Sequence, residues 1–379
     1  MTTPGPAFIV LGPLQMSVGD SPVPAGTPKQ RAVLAALLVN RNRVVATDSL
    51  VSAVWGEEPP SESRASLHAY ISNLRRLFRT GGADGRDILQ KAAPGYRLVV
   101  ADANVDVGRF NQRRSEGLEA AAVGRFEDAS VHFEAALSEW RGEFLEDLRD
   151  FGFVEPLAVA LTEDKVSVHT VHAQAEIACG RAESVISDLE ELVATHPFRE
   201  PLWAQLMTAY YVTQRQSDAL EAFRRLKSLL ADELGIDPDP SVRDLHEAIL
   251  QQQPLNVERS AKTTAADTLI ATAHHLAFTP SSGAALRTDA GTVYPVAGPV
   301  TRIGRHSGND IVMTDPRASR YHAVILYTGS GHVINDAGSA NGILLQGIKV
   351  QGNAALADGD RIMIGDTALT FEIDRSSGG

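Results

Sequence analysis

Between Ser61 and Arg79 the chain reads SESRASLHAYISNLRRLFR. Wound at about 3.6 residues per turn, this stretch gathers Leu67, Tyr70, Ile71, Leu74, Leu77 and Phe78 on one side, the spacing of a core-docked helix. The opposite side holds Ala65, His68, Ala69, Ser72 and Arg76, with Asn73, Arg75 and Arg79 on its shoulders. That face carries no acid. Small residues permit close approach, hydroxyl and amide groups hydrogen-bond, and guanidinium groups suit phosphates and guanine edges, so the set fits a helix built to enter a DNA major groove. For the helix alone, a solvated basic face is an equally good account. The elements around it have to decide.

Residues arranged for catalysis are harder to find. Lys227-Ser228 and Lys262-Thr263 lack the glycine that a phosphate-binding G-x-x-x-x-G-K-[ST] loop requires, and Gly338-Ser339-Ala340-Asn341-Gly342 places its serine one position early for a nucleophile elbow. His169 and His172 stand three apart on a helix and His274-His275 are adjacent, without a matching third ligand, which favours surface or packing histidines over a metal site. The single cysteine, Cys179, makes no internal disulfide and builds no zinc site by itself. The expectation is a protein that is not an enzyme and uses no cofactor or metal.

The 379 residues suffice for two or three domains. There is neither an apolar run of membrane-spanning length nor a charged-then-apolar leader, so a cytoplasmic location and no membrane partner are expected. The net charge of -12 argues at first against nucleic acid. Its distribution does not. Residues 1–100 hold 11 Lys+Arg against 7 Asp+Glu, residues 101–253 hold 14 against 29, and residues 254–379 hold 10 against 11. The polyanion-compatible surface is confined to the first hundred residues, and the acidic middle is repelled by phosphates.

Within that first part, short apolar runs at Phe8 to Leu14 and Gln15 to Val18 are broken by glycine turns and read as strands. Thr27-Pro28 caps and opens a helix over Lys29 to Leu38. A second helix starts at the cap Thr47 or Asp48, and a break at Gly56 to Pro60 precedes the Ser61 to Arg79 helix. A glycine-rich tip (Gly81, Gly82, Gly85) leads to a hairpin, Ile88 to Lys91 and Tyr96 to Val100. Strands, three helices and a terminal hairpin make a winged helix-turn-helix over 1–101. The run Val54-Trp55-Gly56-Glu57-Glu58-Pro59-Pro60, then Arg64, Leu74-Arg75-Arg76-Leu77 and Pro94-Gly95-Tyr96-Arg97-Leu98, resembles the Streptomyces antibiotic regulatory protein family, the AfsR/DnrI/RedD-type transcription activators with an OmpR-like winged helix. The resemblance implies a recognition helix from Ala65 to Arg79. Its candidate DNA-binding residues are Arg64, His68, Ser72, Asn73, Arg75, Arg76 and Arg79, with Lys91 and Arg97 near the wing, holding phosphates.

From residue 105 to 253 the pattern is helical and repeats. Aligning Gly124, Gly180 and Gln214 brings Ala129, Val185 and Ala219 into register, and likewise Phe133, Leu189 and Phe223. The second and third units lie 34 residues apart, and Trp203, Leu206 and Tyr210 take the large-residue places of a tetratricopeptide repeat. The first unit lies 56 residues before the second, so an extra segment is expected between them, around Trp140 to Pro156. Leu234-Gly235-Ile236-Asp237-Pro238-Asp239-Pro240 followed by Leu245-His246 is similar to the end of the bacterial transcriptional activator domain of the same regulators.

Residues 254–283 read as a linker, with an alternative helix over Ala265 to Phe278. Beyond it the period changes to two, and seven short strands between Val300 and Ile373 make an all-β sandwich over 284–374. Its loops carry Gly304-Arg305, Ser319-Arg320-Tyr321-His322 and Ser339-Ala340-Asn341-Gly342, a combination that resembles the forkhead-associated (FHA) family. The resemblance implies phosphothreonine binding. Such a phosphate carries nearly two negative charges and needs a guanidinium, a hydroxyl donor and no nearby acid. On that resemblance Arg305 and Ser319 are expected to supply the first two, Arg320 to add charge, and Asn341 to hydrogen-bond the peptide backbone. His322 and Gly304 read as structural. Ala340 and Ile343 depart from the family's usual hydroxyl residues, so one side-chain contact to the peptide is expected to be missing.

The whole reads as multidomain α+β. The expected function is a DNA-binding activator regulated through phosphothreonine recognition, with promoter DNA, a Ser/Thr protein kinase or other phosphothreonine-bearing protein, and RNA polymerase as partners. The alternative is a phospho-dependent scaffold that does not read DNA sequence. Because the acidic repeats lie between the two binding ends, they are expected to carry the coupling.

Overall fold

The computed structural model describes residues 5–19, 21–56, 58–79, 84–276, 284–296, 300–306, 309–327, 332–337, 339–350 and 353–373. Expectations at Glu57, Gly81, Gly82, Gly338 and the end of the 254–283 stretch lie outside them.

The N-terminal sheet has the order β1 (Pro6–Ile9), β2 (Gln15–Val18), β3 (Ser21–Pro22). The first strand ends at Ile9 rather than running to Leu14, for a long-range reason. The N–H groups of Val10 (2.8 and 3.0 Å) and Leu11 (2.8 Å) donate to the buried Asp106 carboxylate, so they cannot continue the ladder. Helix α1 (Pro28–Val39) begins as its sequence dictates, with Thr27 Oγ1 accepting from Gln30 N at 3.4 Å. Strand β4 (Val44–Ala46), which the sequence reading missed, precedes α2 (Thr47–Trp55). The cap of α2 is Ala46, not Thr47 or Asp48, because Thr47 is already helical and its hydroxyl donates to Pro94 O at 3.1 Å. After α3 (Ser63–Arg79) and the short α4 (Gly85–Ile88), β5 (Leu89–Ala92) and β6 (Gly95–Leu98) form the expected hairpin, with Lys91 opposite Tyr96. Its sheet order is β4-β6-β5. Leu34, Leu37, Leu50, Leu67, Leu74 and Phe78 are fully buried beneath α3, and Phe8 meets Phe78 edge-on at 6.2 Å.

The helices α5 (Asp106–Ala122), α6 (Phe126–Leu137), α7 (Val154–Ala178), α8 (Ala182–Thr195), α9 (Glu200–Val212), α10 (Gln216–Leu234), α11 (Pro240–Leu250) and α12 (Val257–Leu276) follow. The aligned residues Gly124, Gly180 and Gln214 all sit in the turn between paired helices with positive φ (84°, 77° and 65°). Each turn closes the same way. The next residue, an arginine in all three, donates its N–H to Ala120 O, Glu176 O or Tyr210 O at 2.8–2.9 Å. The same turn recurs at Gln252, with φ 56°, so the array extends one helix beyond the three aligned units. The repeat positions are its core: Phe133, Leu189, Leu206 and Leu226 are buried to 1% exposure or less. The stretch read as a linker is mostly helical, since α12 starts at Val257, and Ala261 and Ala265 are buried.

The chain divides into two compact units. One comprises Phe110–Ser138 and Asp164–Ile270, and the other Met1–Arg109, Glu139–Glu163 and Ala271–Gly379. The extra segment between repeats belongs to the latter. Arg141 N and Leu145 N donate to Leu11 O (2.7 Å) and Val10 O (2.9 Å), and Asp147 accepts from Leu14 N at 2.7 Å, so the insertion completes the N-terminal sheet's hydrogen bonding.

The C-terminal sandwich holds β7 (Ala284–Thr288), β8 (Val293–Pro295), β9 (Val300–Gly304), β10 (Ile311–Val312), β11 (Ala323–Tyr327), β12 (His332–Asp336), β13 (Ile343–Leu345), β14 (Ile348–Lys349), β15 (Asn353–Leu356), β16 (Arg361–Ile364) and β17 (Thr367–Ile373). The two sheets have the orders β10-β9-β11-β12-β15 and β14-β13-β16-β17-β7-β8. Ile303, Ile325, Ile334, Ile343, Ile362 and Phe371 are fully buried between them, the period-two face that the sequence dictates.

Candidate functional site

The loops at one end of the sandwich are laced by backbone and by polar side chains. Arg305 N donates to Ser319 O and His306 N to Arg320 O, both at 3.0 Å. That close approach requires Gly304, where any Cβ would overlap the Arg320 carbonyl oxygen. His322 is fully buried. Its Nδ1 accepts from Ser319 N at 2.9 Å, which leaves the proton on Nε2 to donate to Gly342 O at 3.1 Å. One ring therefore staples the second loop to the third. Asn309, missed in the sequence, ties the first to the second through Nδ2, which donates to His306 O (2.8 Å) and Arg320 O (2.7 Å). Its only signal was a turn-type residue among many.

These braces bring Arg305, Ser319 and Asn341 together. Arg305 is exposed, and its Nε donates to Ala318 O at 3.3 Å, which aims the guanidinium across the second loop. Ser319 Oγ accepts from Ala340 N at 3.1 Å, leaving the hydroxyl hydrogen for an incoming acceptor. Asn341 Nδ2 donates to Arg317 O at 2.8 Å, with its second N–H and carbonyl oxygen turned outward on an exposed side chain. Arg320 is exposed on the same loop. The expectation of no nearby acid needs correction. Asp336 and Asp315 lie at the base of the loops, where Asp336 accepts from Ser339 N at 2.7 Å and Asp315 from Arg317 N at 2.8 Å. Backbone N–H donors hold Asp315 below the usual aspartate range, so it acts as a loop brace. The arrangement offers a cation, a hydroxyl donor and an amide to a phosphate ester on an extended peptide.

On α3 the exposed residues are Arg64, Ala65, His68, Ala69, Ser72, Arg76 and Arg79, a continuous polar stripe. Arg64 is bridged to Asp48 at 2.6 Å, and His68 Nδ1 pairs with the Tyr96 hydroxyl at 2.8 Å. Three candidates are drawn back. Arg75 donates from Nε to Leu89 O at 2.8 Å and lies 5.9 Å from the Tyr96 ring. Asn73 reaches Gln30 at 3.4 Å, and Arg97 is half-buried on Gln90 at 2.9 Å, whereas Lys91 is exposed on the hairpin. Arg75 thus fastens α3 to the β5–β6 hairpin.

Elsewhere, His169 and His172 are half-buried in the repeats, with His169 pushed down to about 4 by burial. The side chains of His274 and His275 lie outside the described residues. Among the described residues no group of three metal-type ligands occurs, and no helix is long and apolar enough to cross a membrane.

Comparison with known proteins follows the same divisions. Residues 22–98 match the family of transcriptional regulatory protein C-terminal domains, 105–250 the bacterial transcriptional activator domain, and 301–365 the FHA domain. The transcriptional regulatory protein EmbR of Mycobacterium tuberculosis is 54% identical over 374 residues, 98% of this chain and 96% of that one. The regulatory protein DnrI of Streptomyces peucetius is 32% identical over 65% of this chain and 92% of its own. The solved structure of M. tuberculosis EmbR in complex with a low-affinity phosphopeptide superposes with a TM-score of 0.91 at 54% identity, covering 99% of both chains.

Proposed function

The chain belongs to the AfsR/DnrI-type bacterial transcriptional regulators, in the EmbR-like form that ends in an FHA domain, and from that premise we propose that phosphothreonine binding at Arg305, Ser319 and Asn341 governs promoter binding by α3. The observation that carries this reading is the lacing of three loops, which presents a guanidinium, a free hydroxyl hydrogen and an amide on one exposed end. A solved EmbR holds a phosphopeptide, which supports transferring that ligand class to this chain. Arg76, Arg79, Ser72 and His68 read the groove, and Lys91 holds phosphate. The protein acts in the cytoplasm as a regulator without catalysis of its own. A Ser/Thr protein kinase supplies the phosphothreonine, and the acidic residues 101–253, which phosphates repel, are left to contact RNA polymerase.

Calorimetry of the full chain with a phosphothreonine peptide tests the input. Arg305→Ala or Ser319→Ala abolishes the heat, and equal binding of the unphosphorylated peptide would overturn the site. For the output, Arg76→Ala weakens promoter binding and loses sequence preference, whereas Lys91→Ala weakens all sequences alike. Retained promoter binding in both variants sinks the assignment.

A further inference from the structure

A cleft of about 440 Å³ opens within the compact unit that contains the winged helix and the sandwich. Trp55 at the end of α2 forms one wall, Phe151 and Phe153 of the insertion a second, and Arg302 and Tyr321 of the sandwich a third, with Asp150 also lining it. The cleft is separate from the polar stripe of α3, and Tyr321 alone is shared with the loop clusters above.

Arg302 is the unexplained group. Its neighbours in β9, Thr301 and Ile303, are fully buried, so strand alternation turns Arg302 to the outer face beside Val324, its cross-strand partner, which lines the same cleft. Its guanidinium makes no hydrogen bond or ion pair with any described residue, although Asp310 lies near enough to attract it. Asp310 Oδ2 instead accepts from the backbone N of Arg302 at 2.8 Å. Partial withdrawal from water pulls the arginine below its ordinary pKa, the mark of a cation short of solvent. A guanidinium placed so is costly unless an anion joins it.

The walls define that anion. Phe151 and Phe153 lie 6.5 Å apart, and the Trp55 ring is fixed by stacking on Tyr70 at 6.1 Å and 11°. Flat rings favour a planar aromatic occupant, and the volume lies within the range of small-molecule sites. One guanidinium matches one carboxylate bidentately. A phosphate dianion is disfavoured, because Arg302 is the one cation among the lining residues, with Asp150 on the same lining and Asp310 near the guanidinium.

We propose that this cleft binds a planar aromatic monocarboxylate, with the carboxylate on Arg302 and the ring against Trp55, Phe151 and Phe153. Such a molecule is a diffusible effector, distinct from the phosphopeptide.

The test is calorimetry on the full chain at neutral pH with 2-naphthoate, its neutral amide 2-naphthamide, and cyclohexanecarboxylate. Naphthoate binds with one-to-one stoichiometry and about tenfold more tightly than the amide, the worth of one charge-assisted pair. Arg302→Gln removes that preference while keeping phosphopeptide binding, which shows the sandwich folded. Asp150→Asn tightens naphthoate by about threefold, as expected from removing a like charge, a gain that misfolding cannot mimic. Arg305→Ala leaves naphthoate unchanged. The proposal is overturned if acid and amide bind alike, if no saturable heat is seen, if Arg302→Gln keeps the preference, or if Arg305→Ala abolishes naphthoate binding. Equal binding of cyclohexanecarboxylate overturns the aromatic class.

Discussion

Replacing His322 with leucine separates the positioning of the phosphopeptide loops from the contacts they make. The ring is fully buried, and it accepts from Ser319 N at 2.9 Å and donates to Gly342 O at 3.1 Å. Leucine fills a similar volume but leaves one N–H and one C=O without partners where water does not reach. Each orphaned group costs roughly 1–3 kcal/mol, so the sandwich should lose about 4 kcal/mol. For a domain of this size that is a fall of about 20 °C in its melting temperature. Below the new midpoint, Ser319 and Asn341 are no longer held in register, and the peptide Kd should rise by at least about tenfold, equivalent to ~1.4 kcal/mol. Ser319→Ala makes the contrast. It removes the hydroxyl proposed to meet the phosphate, but Ala340 N–H is exposed and turns to water, so affinity should fall while the melt moves by no more than about 2 °C. Differential scanning calorimetry and peptide titration of both variants give the two readings. A His322→Leu protein that melts within about 3 °C of the parent refutes the staple. One that melts low yet binds with parental affinity while folded refutes its positioning role.

Two further outcomes follow from local geometry. Gly304→Ala forces a methyl group against the Arg320 carbonyl and His322 N, backbone atoms that cannot swing aside, so peptide affinity should fall about fivefold or more with about 1–3 kcal/mol of stability; unchanged titrations would show that the loops yield. In the repeats, Glu176 accepts from Arg181 at 2.6 and 2.9 Å and from Ser130 and Ser184, and Arg181 foremost holds it down at about 2 against an ordinary value of 4.5. Its folded pKa is depressed, so its stabilisation is complete above pH 4.5 and lost as pH falls toward about 2. With Arg181 45% exposed and screened, Glu176→Gln should cost about 2 kcal/mol at neutral pH rather than the ~3 kcal/mol of the full shift. Urea titrations followed by helical circular dichroism should show the gap closing between pH 4.5 and 2, and a gap constant across that range contradicts the assignment.

What could be read in advance was what repeats or alternates locally. Gly124, Gly180 and Gln214 share a left-handed turn because each pair of helices reverses over the same few residues, so a spacing of glycines and large apolar residues suffices to find them. The three sandwich loops were legible because the backbone approach at Gly304 and the turn at Gly342 admit only certain residues. Long-range capture left no such trace. Asp106 ends β1 from 96 residues away, and nothing near either residue announces the pairing. Arg75, on the shoulder of the face that holds Arg76, was a DNA-contact candidate like it, and only the position of Leu89 O shows that its Nε is engaged on the wing. Small alanine and threonine residues made α12 resemble a linker, since helix docking through Ala261 and Ala265 lacks the large apolar stripe that periodicity detects.

The same long-range contacts change how input and output are connected. Sequence order places the three acidic repeat units between Arg76 and Arg305, which assigns the coupling to the repeats. Both ends instead belong to one compact unit, completed by the insertion Glu139–Glu163, while most of the array forms the other. Within that unit a shorter set of contacts exists. His306, beside Arg305, meets the Tyr321 hydroxyl at 3.0 Å, and Tyr321 lines the cleft. Across the cleft stands Trp55, stacked on Tyr70 of the recognition helix. Coupling through such contacts requires only that peptide and DNA each prefer one of two arrangements of this cleft, and a difference of about 1–3 kcal/mol between them is enough for a 5- to 150-fold change in affinity. An occupant on Arg302 would bias the same equilibrium, which gives this unit a route between its two ends beside the acidic repeats.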